Sequence, residues 1–390
     1  MDWNKAKERY KLAEETLFSK NVRKLPDFEG NVVKISDCYP GIWMEHSYDP
    51  VVLATLYPDF SDVPKNQAEM FFDYQRDDGQ LPAYFHYGTG KLKVGYGQIQ
   101  ECVSFGKICF ETYQLTKDKK FLERAYDAFK KWDGWLCDAR MTRGKGLIEL
   151  FCEWDTGHDN ALRLEGVPHA TTDAYGREYE DNGFLPMLAP DMNAVFYGDR
   201  MALSYMADEL GKYDEAGTWR SKANKVKEKM FELLYNKEDE FFYDLDKNDN
   251  LRKFKTVLIT NVFHEHVLAQ DEFDVIYDRY FKSDKHFDTP VPFPATSVSD
   301  PAWIQNRAGN SWNFYAEALV ALRAERWMEH YKKHDDYEKL LYKWVECYTN
   351  SELLFGQEFH PLTGAPSECS PNYSSALLFF IRAMRKLGKV

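Results

Sequence analysis

Apolar positions recur at steps of three and four along most of this chain. Ala216, Trp219, Ala223, Val226, Met230 and Leu233 form one such stripe, the mark of a helix with a single buried face. The same spacing predicts helices roughly over residues 3–19, 62–75, 99–115, 118–138, 191–210, 312–331, 335–350 and 372–387, with shorter ones near 48–56 and 257–281. No stretch alternates strand with helix, so a parallel α/β sheet is not expected. Two helix pairs sit back to back: 99–115 ends at Thr116-Lys117-Asp118, and 191–210 ends near Gly211 with the next helix starting at Tyr213. Links that short make antiparallel neighbours. The links 76–98, 139–190, 282–311 and 351–371 are longer and hold most of the unusual residues. Helical hairpins with alternating short and long links predict an all-α fold, the (α/α)6 barrel, a toroid of six hairpins with its long links gathered on one face. No repeat of roughly 34–45 residues supports a solenoid. No Pro-, Gly- or Ser-rich linker divides the chain, so residues 1–390 are expected to form one domain.

Composition narrows the function classes. A net charge of −13 argues against nucleic-acid or anionic-membrane partners. With 25 Tyr, 27 Phe and 10 Trp, the chain has rings beyond those a core needs. Seven scattered cysteines without a C-x-x-C pair read as reduced thiols. Residues 1–9 lack an apolar signal segment and no run of about 18 apolar residues occurs, so a cytoplasmic protein without a membrane span is expected. No phosphate-binding or dinucleotide fingerprint is present. Residues 244–255 lack the glycine and the bidentate glutamate of a calcium loop, and His264-Glu265-His266 lacks zinc-motif spacing. Neither a metal nor a cofactor is expected.

The densest chemistry lies in Glu153-Trp154-Asp155-Thr156-Gly157-His158-Asp159-Asn160-Ala161-Leu162-Arg163, right after the apolar run 147–151. Acids beside flat rings suit a sugar-cleaving site, where one carboxyl group protonates the leaving oxygen. Asp159 is the first choice for that acid, with Glu153 and Asp155 competing; Trp154, Asn160 and Arg163 are candidate sugar contacts. A second acidic loop, 356–368, carries Glu358 and Glu368, either of which can supply the partner carboxylate. Three aromatic–polar clusters are candidate walls: Trp43 to Asp49 with Glu45 and His46, Tyr96 to Glu101 with Gln100, and Trp303 through Arg307 to Trp312.

These motifs, in this order, resemble the clan of inverting α-glycosidases that includes glycoside hydrolase family 63 and the family 37 trehalases, above all the compact bacterial family 63 members. The resemblance runs from about residue 38 to 388. Gly157-His158-Asp159-Asn160 is similar to the clan's Gly-x-Asp-Asn, whose aspartate is the general acid, and Asp191-Met192-Asn193 is similar to its Asp-x-Asn helix start. Gln100, Gly309-Asn310-Ser311-Trp312 and Phe359-His360-Pro361-Leu362-Thr363-Gly364 match further motifs. The resemblance implies an (α/α)6 α-glucosidase-like hydrolase acting on a disaccharide or small glycoside, with Asp159 as acid, Asn193 among the sugar-binding residues and a glutamate near Pro361 as base. Two departures stand out. Gln357 occupies the base's usual place, four before the proline, with Glu358 the nearest acid and Glu368 the alternative. Glu45-His46 replaces a Trp-Asp pair, which implies an altered subsite. A sugar isomerase or epimerase using His158 or His360, and a non-catalytic sugar-binding barrel, are the competing readings.

Overall fold

The structure, a computed structural model, describes all residues except Thr89, 305–309 and Glu368. The described residues form twelve α-helices: α1 (Trp3–Thr16), α2 (Tyr48–Leu56), α3 (Val63–Asp73), α4 (Phe105–Thr116), α5 (Lys119–Arg140), α6 (Pro190–Glu209), α7 (Tyr213–Leu233), α8 (Ile259–His264), α9 (Gln270–Ile276), α10 (Ala318–His330), α11 (His334–Asn350) and α12 (Ser374–Lys386).

The even-numbered helices form a closed inner ring. Each packs on the next, from α2 through α4, α6, α8 and α10 to α12, which returns to α2. The residue pattern explains which helices go inside. α12 is buried from Ser374 through Met384, and α6 buries nearly its whole length, as helices surrounded on all sides must. The outer helices keep one apolar stripe: Tyr337, Leu340, Leu341, Trp344, Val345 and Tyr348 on α11, and Ala216, Trp219, Ala223, Val226 and Met230 on α7. The (α/α)6 barrel expected from the hairpin pattern is the observed fold.

Short links join inner to outer helices; Lys117 and Asp118 alone separate α4 from α5. Lys117 takes a left-handed turn (φ 56°), and the Asp118 side chain caps α5 through the Lys120 and Phe121 N–H groups. Every link that precedes an inner helix is long, so these links meet at the N-terminal ends of the ring. The partial positive charge of those ends favours carboxylates there, such as Asp49 in the first turn of α2 and Asp191 in that of α6.

Two helices start later than the spacing predicts. Residues 99–104 are not helical: Gln100 is left-handed (φ 51°), and the Ser104 hydroxyl caps α4 at the Lys107 N–H. Residues 312–317 are not helical either, because Ala316–Glu317 pairs antiparallel with Glu358–Phe359. The stretch 257–281 holds α8, α9 and a wide final turn over Tyr277–Phe281. All strand pairings are short and antiparallel. Among the described residues no helix is long and apolar enough to cross a membrane.

Candidate active site

Five of the six long links build a cavity of about 300 Å³ over the N-terminal end of the ring. The link ahead of α2 supplies Ile35, Tyr39, Trp43, Glu45 and His46; that ahead of α4 supplies Tyr84, His86, Lys93, Gln98 and Gln100. Trp154, Gly157 and Asp159 come from the link ahead of α6, Asn310 and Trp312 from that ahead of α10, and Gln357 and Tyr373 from the last.

The acidic loop 153–163 is anchored from below. Asp155 is completely buried and forms a two-pronged ion pair with Arg140, at 2.6 and 3.1 Å. It also accepts the N–H groups of Ile99, Phe151 and Cys152. Those partners make Asp155 a scaffold for the turn rather than a proton donor to substrate. Gly157 (φ 67°) passes so close to its neighbours that a Cβ there would lie 2.7 Å from Cys102 Sγ and 3.0 Å from the Glu45 carboxyl carbon. Only glycine fits.

Asp159 follows this turn and lines the cavity. Its backbone carbonyl accepts the Trp312 N–H at 3.0 Å, and its carboxylate accepts the Asn310 amide at 3.0 Å. Burial, then the nearby charges of Glu45 and Glu153, push its carboxyl group up to about 7, against the Asn310 hydrogen bond. A carboxyl group so placed holds its proton near neutral pH, as a general acid requires. Glu153 stands beside it, accepting the Asn160 N–H and meeting the His169 ring. Asn160 (φ 60°) turns its amide to the Asn310 carbonyl at 2.6 Å instead of into the cavity.

One wall is a small antiparallel sheet. Trp43 pairs with Tyr84, and His86 with Lys93, so their side chains share a face. Trp43 stacks on Tyr84 with ring centroids 5.7 Å apart, and the Lys93 ammonium sits 5.7 Å from the Tyr84 ring centre. Gly95 stands opposite Tyr84 because that ring occupies the space of any side chain. Across the cavity Trp154, 36% exposed, stacks on His169. Gln100 reaches the cavity too, and its buried Oε1 has no partner among the described residues. His46 is held by Asp49 and by the Tyr373 hydroxyl at 3.0 Å.

Several residues that the sequence places at the site sit elsewhere, and these are corrections. Arg163 is occupied by two buried carboxylates, Asp244 at 2.6 Å and Asp191 at 2.7 Å, and does not line the cavity. Asn193 is fully buried and closes on the Ile148 backbone and the Ala189 carbonyl. Glu358 is fully buried and absent from the lining; its strand neighbour Gln357 takes the place. Glu358 instead lies opposite Glu317, which is also fully buried, and accepts the Ser311 N–H at 3.2 Å. Burial pushes both carboxyl groups up, and the Glu358 charge pushes Glu317 further. His158, a candidate isomerase base, is buried between Asp191 and the Trp312 ring, and burial depresses it to about 4. His360 accepts the Leu362 N–H within its own turn, and neither ring lines the cavity. Arg307 and Glu368 lie outside the described residues.

Ile35, Tyr39, Tyr84, His86 and Lys93 line the cavity without having been singled out by the sequence, the last three on the small sheet. The signal of these three was a period-two alternation only three residues long, inside what reads as a loop. Asn310 was visible as part of a motif, but not as the group that touches the Asp159 carboxylate.

Comparisons with known proteins bear on the fold and the family. Residues 59–375 match the family model described as "Mannosylglycerate hydrolase MGH1-like glycoside hydrolase domain". A glycoside hydrolase family 63 mannosylglycerate hydrolase from Thermus thermophilus, solved with glucose, superposes with a TM-score of 0.75 at 14% identity, covering 95% of this chain and 99% of that one. The neutral trehalase of Saccharomyces cerevisiae superposes at 0.68 with 12% identity, covering 96% of this chain and 79% of the trehalase. An uncharacterized Borreliella burgdorferi protein is 24% identical over 251 residues, 63% of this chain; the match spans 48% of that relative's length. The chain belongs to the mannosylglycerate hydrolase MGH1-like glycoside hydrolases.

Proposed function

We propose that this chain hydrolyses small α-glycosides with inversion, and that Asp159 protonates the departing oxygen. The observation that carries the reading is the Asp159 carboxyl group, at the cavity and raised to about 7. Trp43, Trp154 and Trp312 offer flat faces to a sugar ring, while Gln98, Gln100 and His46 offer polar partners for hydroxyls. A volume of about 300 Å³ lies at the small end of ligand pockets, roughly 300–1,000 Å³, which favours a disaccharide or small glycoside over a polymer.

The first reading is an α-glucoside. A second is favoured by Lys93: its ammonium stands on the wall farthest along the sheet from Trp43, where it would meet an anionic aglycone. A sugar linked to a small hydroxy acid fits that arrangement, and the Thermus thermophilus neighbour carries the name mannosylglycerate hydrolase. The test is a panel of α-glucosides and α-mannosides, with neutral and carboxylate aglycones, followed by NMR of the released anomer. Release of the β-anomer supports the reading. Retained configuration, or no turnover of any member, sinks it.

A further inference from the structure

Single displacement needs a second carboxylate that takes a proton from water, and the described cavity lining contains one besides Asp159: Glu45. We infer that Glu45, on the turn between the Gly41–Trp43 strand and α2, is the base that activates the attacking water. The inference rests on the hydrolytic reading above and adds to it the residue that completes the reaction.

Geometry carries it. Glu45 is 8% exposed, it lines the cavity, and its Oε1 has no hydrogen-bond partner among the described residues. A buried oxygen left without a partner is costly unless a ligand or water meets it. The Arg323 guanidinium holds the Glu45 backbone carbonyl, which fixes the turn from behind and leaves the carboxylate unpinned. Gly157 has no side chain where one would press on that carboxylate, so the acid's own loop makes room for it. Glu45 and Asp159 line the same cavity, and Gly157, two residues before Asp159, lies against the Glu45 carboxyl group.

The described alternatives in the last link present no carboxylate to the cavity. The Gln357 amide has no basic site and donates to Asn310 at 2.9 Å. Glu358 lies out of the lining, paired across the strands with Glu317.

In the step, a water oxygen bonds to the anomeric carbon as the bond from that carbon to the aglycone oxygen breaks. The water's proton goes to Glu45, and the Asp159 proton goes to the aglycone oxygen. Glu45 ends protonated and Asp159 ionised; exchange with solvent restores both, and one water has been added.

The experiment uses Glu45→Gln and Glu45→Ala in the full chain, with the best substrate from the panel. Both are expected to lower kcat by about 10²–10⁴-fold while KM changes far less, and to lose the acidic limb of the pH–rate profile. Added azide is expected to restore turnover of Glu45→Ala and yield a glycosyl azide of inverted configuration, which a residue that only binds sugar hydroxyls does not give. Glu358→Gln is expected to keep kcat within a few-fold. The assignment is overturned if the Glu45 variants turn over normally, if only KM moves, or if the azide product comes from a Glu358 or Glu368 variant instead. Hydrolysis by the wild type, abolished in Asp159→Asn but intact in Glu45→Gln, removes Glu45 alone. No hydrolysis by the wild type removes both proposals.

Discussion

Asn310 donates its side-chain amide to the Asp159 carboxylate at 3.0 Å while accepting the Gln357 amide at 2.9 Å. That first bond favours the ionised form of Asp159, whereas burial favours the neutral one. In Asn310→Ala the acid therefore keeps its proton to higher pH. The alkaline limb of kcat/KM against pH, expected near 7 in the wild type, moves upward in this variant. A limb that stays put or moves down breaks the link between Asn310 and the acid.

Asp159 also ties stability to pH. From about 4, its unfolded value, to about 7, the folded chain holds this proton and the unfolded chain does not. The group therefore costs stability progressively as pH rises through that window. Asp159→Asn should melt above the wild type at pH 8, with the gap closing toward pH 4, while turnover falls about 10²–10⁴-fold. Thermal melts at several pH values check this, and a gap independent of pH contradicts it.

The Arg140–Asp155 pair lies under the acid's loop with both side chains fully buried. Asp155→Ala strands the guanidinium and frees three backbone N–H groups, for a cost of about 3–5 kcal/mol. Urea unfolding measures it. Arg140→Ala should cost a similar amount, and the double variant less than the sum.

Lys93→Gln should lower kcat/KM on glycosides of hydroxy acids on the order of 2–5-fold, and less at high salt, because the ammonium is exposed. Neutral glycosides should be unaffected. An equal loss on both substrate types removes the aglycone role of Lys93.

The helical hairpins were legible because their stripes are long: the α7 residues Ala216 to Met230 are buried as spaced. What spacing could not show is local backbone geometry fixed by distant partners. Gln100 needs a left-handed turn that ends any helix before it, and residues 316–317 are held extended by 358–359, some 40 positions on. That the 153–163 loop reaches the cavity, with Asp159 in its lining, was legible from its composition. The facing of residues 357 and 358 was not, since successive strand residues point to opposite sides and a shift of one exchanges them. Arg163 and Asn193 have the chemistry of sugar contacts, but burial gives their donors to Asp191, Asp244 and the Ile148 backbone.

The wall formed by Trp43, Tyr84, His86 and Lys93 is a local hairpin added to a neighbouring strand, and it shares no backbone pairing with the loop that carries Asp159. On the hydrolytic reading above, the contacts that would choose the aglycone and the carboxyl group that would protonate it lie on separate stretches of chain. A change confined to residues 84–95 is expected to alter which molecule is accepted while Asp159, the Arg140–Asp155 anchor and the ring beneath stay as they are. Such a layout lets one scaffold diversify its diet by exchanging a dozen residues.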